Sequence, residues 1–276
     1  MKKQLTMLLM ASLITAAYAS GNWQNTYDEG PLEQGTISAG IKAGIAPTFW
    51  FGRDPLFTDT QLLEKEKVLL TLNNEQTKEI KPSYRGLFSL TPWWTSIDIG
   101  YALYNNFEVF GEFVWQGASG NTISFEGKDL GLDTVNSITL AMDNTNSFGG
   151  YVGFRHYLSP WLDCIYPFWG LKIGALHHRN ATGSIAIKMG NDTLKTNNAV
   201  FFPQQTVLSG GAAFGFDSYL TDCLKLRLGV EVIASGSRKG NANFAASSDT
   251  YNIKSKIGNV SNQLSVPITL GLVYEY

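Results

Sequence analysis

Hydrophobic and polar positions in this chain alternate with a period of two over long stretches. From 264 to 276, Leu264, Val266, Ile268, Leu270, Leu272, Tyr274 and Tyr276 share one parity. Ser265, Pro267, Thr269, Gly271, Val273 and Glu275 share the other. Between Leu224 and Val232, leucines and valines alternate with Lys225, Arg227, Gly229 and Glu231. A period of two puts such sets on opposite faces of a β-strand. Patterns of this kind predict eight strands, near 36–46, 95–103, 107–116, 148–157, 165–178, 207–219, 224–234 and 264–276. Each is near or above the roughly 9–11 residues that a tilted strand needs to cross a bilayer.

The connections come in two sizes. Segments 104–106, 158–164 and 220–223 are short, whereas 47–94, 117–147, 179–206 and 235–263 are long and polar. Short turns at one end and long loops at the other are the asymmetry of outer-membrane barrels. The expected fold is therefore all-β: a transmembrane antiparallel up-and-down β-barrel of eight strands, with both termini on the short-turn, periplasmic side. Within the loops, 122–126 with 137–142 and 184–189 with 193–196 predict protruding hairpins. Segment 61–72 reads either as a short helix or as another hairpin arm. Counting such pieces as spanning would give ten or twelve strands, but they are short and sit in polar stretches.

Composition supports a membrane barrel. Lys2 and Lys3 precede an apolar run from Leu5 to Ala17 and an A-x-A site at Ala17-Tyr18-Ala19, the layout of a cleaved export signal over residues 1–19. A short periplasmic segment at 20–35 and a barrel at 36–276 complete the expected organisation. After the signal no apolar run reaches the length of a spanning helix. Charged residues are scarce at 16%, while glycine (28) and aromatics (13%) are plentiful. A net charge of −2 argues against nucleic acid as a partner.

Thr269, Gly271, Tyr274 and the terminal Tyr276 are similar to the assembly signal of bacterial outer-membrane barrels, which implies recognition by the barrel-insertion machinery. The layout over about 36–276 resembles the OmpA/OmpX-type transmembrane domain. The resemblance implies a bacterial outer-membrane location, and a barrel domain alone, without a peptidoglycan-binding domain, is expected. Gly100-Tyr101 with Tyr104, Gly153-Phe154 with Tyr157, and Gly215-Phe216 with Tyr219 form a weak repeat before the short turns, as an interfacial aromatic girdle would.

Alternation also assigns an inward face. It carries Lys42, Arg155, Lys172, Lys225 and Arg227 against Asp98, Glu108, Glu112, Asp217, Glu231 and Glu275. Against lipid, a mid-bilayer Lys or Arg costs about 2–4 kcal/mol. An eight-stranded barrel is only wide enough for its own side chains to fill. The expectation is a salt-bridged, plugged interior, with inward Gly40, Gly44, Gly100, Gly153, Gly170 and Gly174 making room for the long cationic arms.

Other chemistry is thin. A lipid-modifying barrel enzyme needs a serine, a histidine and a carboxylate near the outer lipid face. The histidines are His156, His177 and His178; Ser184 and Asp192 follow the last two, and nothing in the spacing fixes a Ser–His geometry. No enzymatic role, metal or cofactor is expected. Cys164 and Cys223 begin the fifth and seventh strands, with the sixth between them. An intramolecular disulfide needs an inward-folded turn; intermolecular pairing and two free thiols are the alternatives.

The second long loop is acidic. The third (Arg179, Lys188, Lys195) and fourth (Arg238, Lys239, Lys254, Lys256) are basic. Basic loops suit contact with lipopolysaccharide phosphates, and hairpin edges suit host or other surface ligands. The expected role is envelope-structural or adhesin-like, acting through the loops. The rivals are a narrow porin-like channel and, behind it, a lipid A-modifying enzyme.

Overall fold

The alternating segments become nine strands, the closing one broken in two, and among the described residues the loops contribute nine more. The computed structural model describes residues 31–50, 68–72, 76–80, 92–126, 136–160, 165–239, 244–247, 252–255 and 262–276. The expected export signal and Cys164 lie outside the described residues. In chain order the strands are β1 (Ile37–Ile45), β2 (Thr48–Trp50), β3 (Val68–Leu72), β4 (Gln76–Ile80), β5 (Trp93–Tyr104) and β6 (Phe107–Ala118). Next come β7 (Thr122–Glu126), β8 (Ser137–Met142), β9 (Thr145–Tyr157), β10 (Ile165–His178), β11 (Ala181–Met189) and β12 (Asp192–Phe202). The last six are β13 (Gln205–Thr221), β14 (Leu224–Ser235), β15 (Phe244–Ser247), β16 (Asn252–Ser255), β17 (Gln263–Ser265) and β18 (Ile268–Glu275).

Eight of these close a barrel. The order is β1–β5–β6–β9–β10–β13–β14–β18 and back to β1, with every neighbouring pair antiparallel. Closure removes the sheet edges that a bilayer cannot satisfy. The outward positions are apolar and exposed: Ile97, Ile99, Val152, Ile173 (65%) and Leu208 (79%) are among them. The inward positions hold the buried charges. Apolar outside and charged inside is the build of an outer-membrane barrel.

The closing stave differs from the continuous strand expected over 264–276. It breaks into β17 and β18 at Val266-Pro267, opposite a break between β1 and β2 at Ala46-Pro47. The register survives the gap, since Ile268 faces Ile45 while Ser265 faces Thr48. Proline has no N–H for the ladder, so the neighbours use the two proline carbonyls. Val266 N donates to Pro47 O (2.8 Å) and Glu231 N to Pro267 O (2.9 Å).

The long loops do not stand as separate hairpins. The hairpins β7–β8 and β11–β12, from the second and third loops, join through β8 and β11 into one sheet ordered β12-β11-β8-β7. Segment 68–72 is the arm of a hairpin with β4, and the rest of 61–67 lies outside the described residues. That hairpin joins β15–β16 of the fourth loop in a second sheet, ordered β15-β16-β3-β4. Each loop hairpin thus gains a partner from a loop distant in sequence.

Candidate functional site

The lumen is built from side chains that period two sends inward, and it divides into levels. At the short-turn end lies a stopper of residues 31–35. Leu32 is 2% exposed and packs with Ala102, Tyr157 and Phe168. Its carbonyl accepts from Asn106 N (3.1 Å), and Gln34 N donates to Asn105 Oδ1 (3.0 Å), tying the stopper to the β5–β6 turn. Asn106 has a φ of 65°, a left-handed conformation that asparagine tolerates. The Pro31 carbonyl takes Lys225 Nζ (3.1 Å) and Tyr219 Oη (2.6 Å), while Lys225 also pairs with Glu275.

Above the stopper, two arginines hold three carboxylates. Arg227 forks onto Asp217, with Nε and Nη2 both at 2.8 Å, and reaches Asp98 at 3.3 Å. Arg155 binds Glu108 at 2.8 Å and also pairs with Asp98. Tyr157 completes the level, accepting from Arg227 Nη2 (2.7 Å) and donating to Asp217 Oδ2 (2.9 Å). Phe110 and Phe168 cover the guanidinium planes of Arg155 and Arg227 at 3.9 and 5.2 Å from the ring centroids. Ser38 Oγ binds Glu108, leaving that carboxylate doubly occupied.

The next level is a ring of two lysines and two glutamates. Lys42 meets Glu112 (2.7 Å) and Glu231 (3.3 Å), and Lys172 meets the same two at 2.5 Å each. The Lys172 ammonium lies 4.7 Å from the Tyr151 ring centroid and 5.5 Å from that of Trp94. Glycines make the crossings possible. A Cβ at Gly100 would collide with the Glu108 carboxylate and Ser38 Oγ, and one at Gly271 would meet Lys42 Cγ at 2.6 Å.

Of the eleven charged residues assigned inward, ten are buried and Glu275 is half-buried. All eleven take part in ion pairs. In the assembly-signal motif, Thr269 and Gly271 point inward, while Tyr274 and Tyr276 are exposed. Cys223, in the turn between β13 and β14, is a free, half-buried thiol.

The expected girdle needs a correction. Tyr101, Tyr104 and Phe216 are exposed, but Tyr157 is buried in the lumen and Tyr219 turns to Glu275 and Pro31. The reason is parity, because Tyr157 and Tyr219 lie two residues after the inward Arg155 and Asp217. The repeat of glycine and tyrosine mixed the two faces. The stopper had no periodic signal, since one leucine in a short polar segment makes no pattern.

At the outer mouth the lining turns from charge to hydroxyl. Tyr151 Oη donates to Ser209 Oγ (3.0 Å), which lies 2.8 Å from Ser235 Oγ. Spacing alone pointed to no Ser–His pair, yet Ser147 Oγ lies 2.7 Å from His178 Nδ1, both side chains buried. Strand pairing creates this contact, because Ser147 and His178 are direct partners in the β9–β10 ladder. The cationic side chain acting on His178 is Arg238. A catalytic histidine is instead oriented by a carboxylate. Ser184 and Asp192 belong to β11 and β12. His177 faces out against Thr206 Oγ1 (2.9 Å) and the Phe148 ring, and His156 lies among Phe107 and Trp169. Among the described residues no group of three metal-ligating side chains gathers.

No protein-family model matches the chain, and neither does any curated protein sequence. Among solved structures it is similar to Neisserial surface protein A (NspA), at 9% identity and a TM-score of 0.43 over 88% of this chain and 100% of the other. It is also similar to OprG from Pseudomonas aeruginosa, at 8% identity and a TM-score of 0.42 over 90% and 99% of the two chains. Ail, the attachment invasion locus protein of Yersinia pestis, matches at 9% identity and a TM-score of 0.36 over 88% and 99%.

Proposed function

We propose that this outer-membrane barrel is a sealed scaffold that presents its joined loops as a surface for interaction outside the cell. One observation carries the reading: eleven inward charged side chains pair with one another at successive levels of the lumen, while the described loop strands pair into sheets. A permanent aqueous path needs unpaired or hydrated lining, and wide channels use far more strands. Here Arg227, Asp98, Arg155 and Glu108 bridge opposite sides of the barrel. Removing one partner from such a set strands a buried charge, so the network resists opening.

Among the described residues the loop sheets end in β7 and β12, and in β4 and β15; β12 and β15 lie in contact, which leaves β7 and β4 as the outer strands. A partner segment adds a strand to such an edge through main-chain hydrogen bonds. Basic Arg179, Lys188 and Lys195 on the third loop suit the phosphates of surrounding lipopolysaccharide. Insertion by the barrel-assembly machinery through the closing strand belongs to the same proposal.

The test replaces the β7–β8 hairpin, Thr122 to Met142, with a short turn. The shortened barrel should still insert and resist proteolysis, while cells bearing it lose adhesion to host-cell or matrix surfaces. Unchanged adhesion after this deletion and a matching one of β11–β12 would overturn the surface role.

A further inference from the structure

Arg238 follows β14 at the outer mouth and is 5% exposed. Its Nη2 donates to Arg179 O (2.7 Å), and its guanidinium lies 5.3 Å from the Phe202 ring centroid. Among the described residues no carboxylate pairs with it, and its buried Nε has no acceptor. The other buried arginines among the described residues, Arg155 and Arg227, are neutralised by ion pairs. Burial without an anion lowers the Arg238 guanidinium to about 10.

A second orphan donor lies next to it. Gln205 Oε1 accepts from Lys239 N (3.1 Å), so the amide is held against the backbone that carries Arg238. The Gln205 Nε2 group is buried and has no partner. Directly across the β10–β13 ladder from Gln205 is His178, which feels the charge of Arg238. When Ser147 donates to Nδ1 of a neutral His178, the ring carries its proton on Nε2. Arg238 Nε and Gln205 Nε2 are thus two buried donors without acceptors, which is costly.

We propose that Arg238, Gln205 and His178 form a binding site for a small oxyanion, a carboxylate or a phosphate, at the outer mouth of the lumen. The oxyanion accepts from Arg238 Nε and Gln205 Nε2, and its charge compensates the guanidinium. A neutral carbonyl compound would satisfy the amide and leave the charge uncompensated. The site lies above the lysine–glutamate ring, so it binds without requiring passage through the barrel.

Titration of inorganic phosphate into the full-length barrel in detergent, followed by calorimetry, tests the site. Saturable binding is expected, weakened at least about tenfold in Arg238→Gln. Gln205→Glu supplies the missing acceptor from within; it should abolish phosphate binding and raise the melting temperature. Heat-dependent gel mobility establishes that each variant is folded. The proposal is overturned by the absence of saturable binding to the native barrel, or by folded R238Q and Q205E variants that bind phosphate like it. Repeating the titration in nanodiscs separates the sources. Competition by lipopolysaccharide supports a lipid-borne phosphate at this site, and its absence supports a free solute.

Discussion

Arg227 illustrates how a single side chain holds this lumen together. It contacts two carboxylates and a tyrosine contributed by three strands, and a phenylalanine ring lies beside its guanidinium. Arginine suits this role because its planar fork meets Asp217 through two nitrogens and still has donors for Asp98 and Tyr157. Replacing it with methionine keeps much of the volume but leaves Asp217 without its forked partner and a hydroxyl without its donor. Arg227→Met is expected to lower unfolding stability by about 3–5 kcal/mol, measured as a shift of the urea midpoint in lipid vesicles. Arg227→Lys keeps the charge and loses the fork, so it should fall between the two. A methionine variant as stable as the native barrel would show that the pairs carry no net weight.

Among the elements, the segment ahead of β1 forms no strand at 31–35 and still packs into the short-turn end of the barrel. Leu32 fills the space between Ala102, Tyr157 and Phe168, and the Pro31 carbonyl occupies Lys225 and Tyr219. Leu32→Ala removes apolar volume at a site already tied down by Asn105 and Asn106, so collapse around the cavity is restricted. The expected cost is about 2–5 kcal/mol, with faster hydrogen exchange at the β5–β6 turn than at the loop end. The proline breaks at Pro47 and Pro267 have the opposite character. They remove ladder donors from both members of one pair of strands while the register is kept.

For the molecule as a whole, the consequence is electrical. A lumen with a stopper, a level of arginine pairs and a lysine–glutamate ring in series should show no steady conductance. The purified barrel in planar bilayers is expected to be silent under voltages that open wide porins. Charge reversal at Glu112 gathers three cations at one level and should either prevent folding or introduce brief openings. Reproducible single-channel steps from the native barrel would reassign it as a narrow pore.

What the chain determines locally is the side of the sheet on which each residue falls. Period two is a property of consecutive residues, so strand number, lipid-facing residues and the antiparallel barrel were legible in patterns such as 224–234. The same rule, applied to Tyr157 and Tyr219 by their distance from Arg155 and Asp217, places them inside. Their closeness to turns obscured that parity. Partnership is another matter. Whether Arg227 meets Asp98, or Ser147 meets His178, depends on how far each strand is staggered against the next and on the closing of the ring. Stagger and closure are relations between segments distant in the chain, with no trace in any one of them. The tertiary structure alone therefore decided the levels of ion pairs, the leucine stopper, the joining of loops into sheets and the unanswered donors around Arg238.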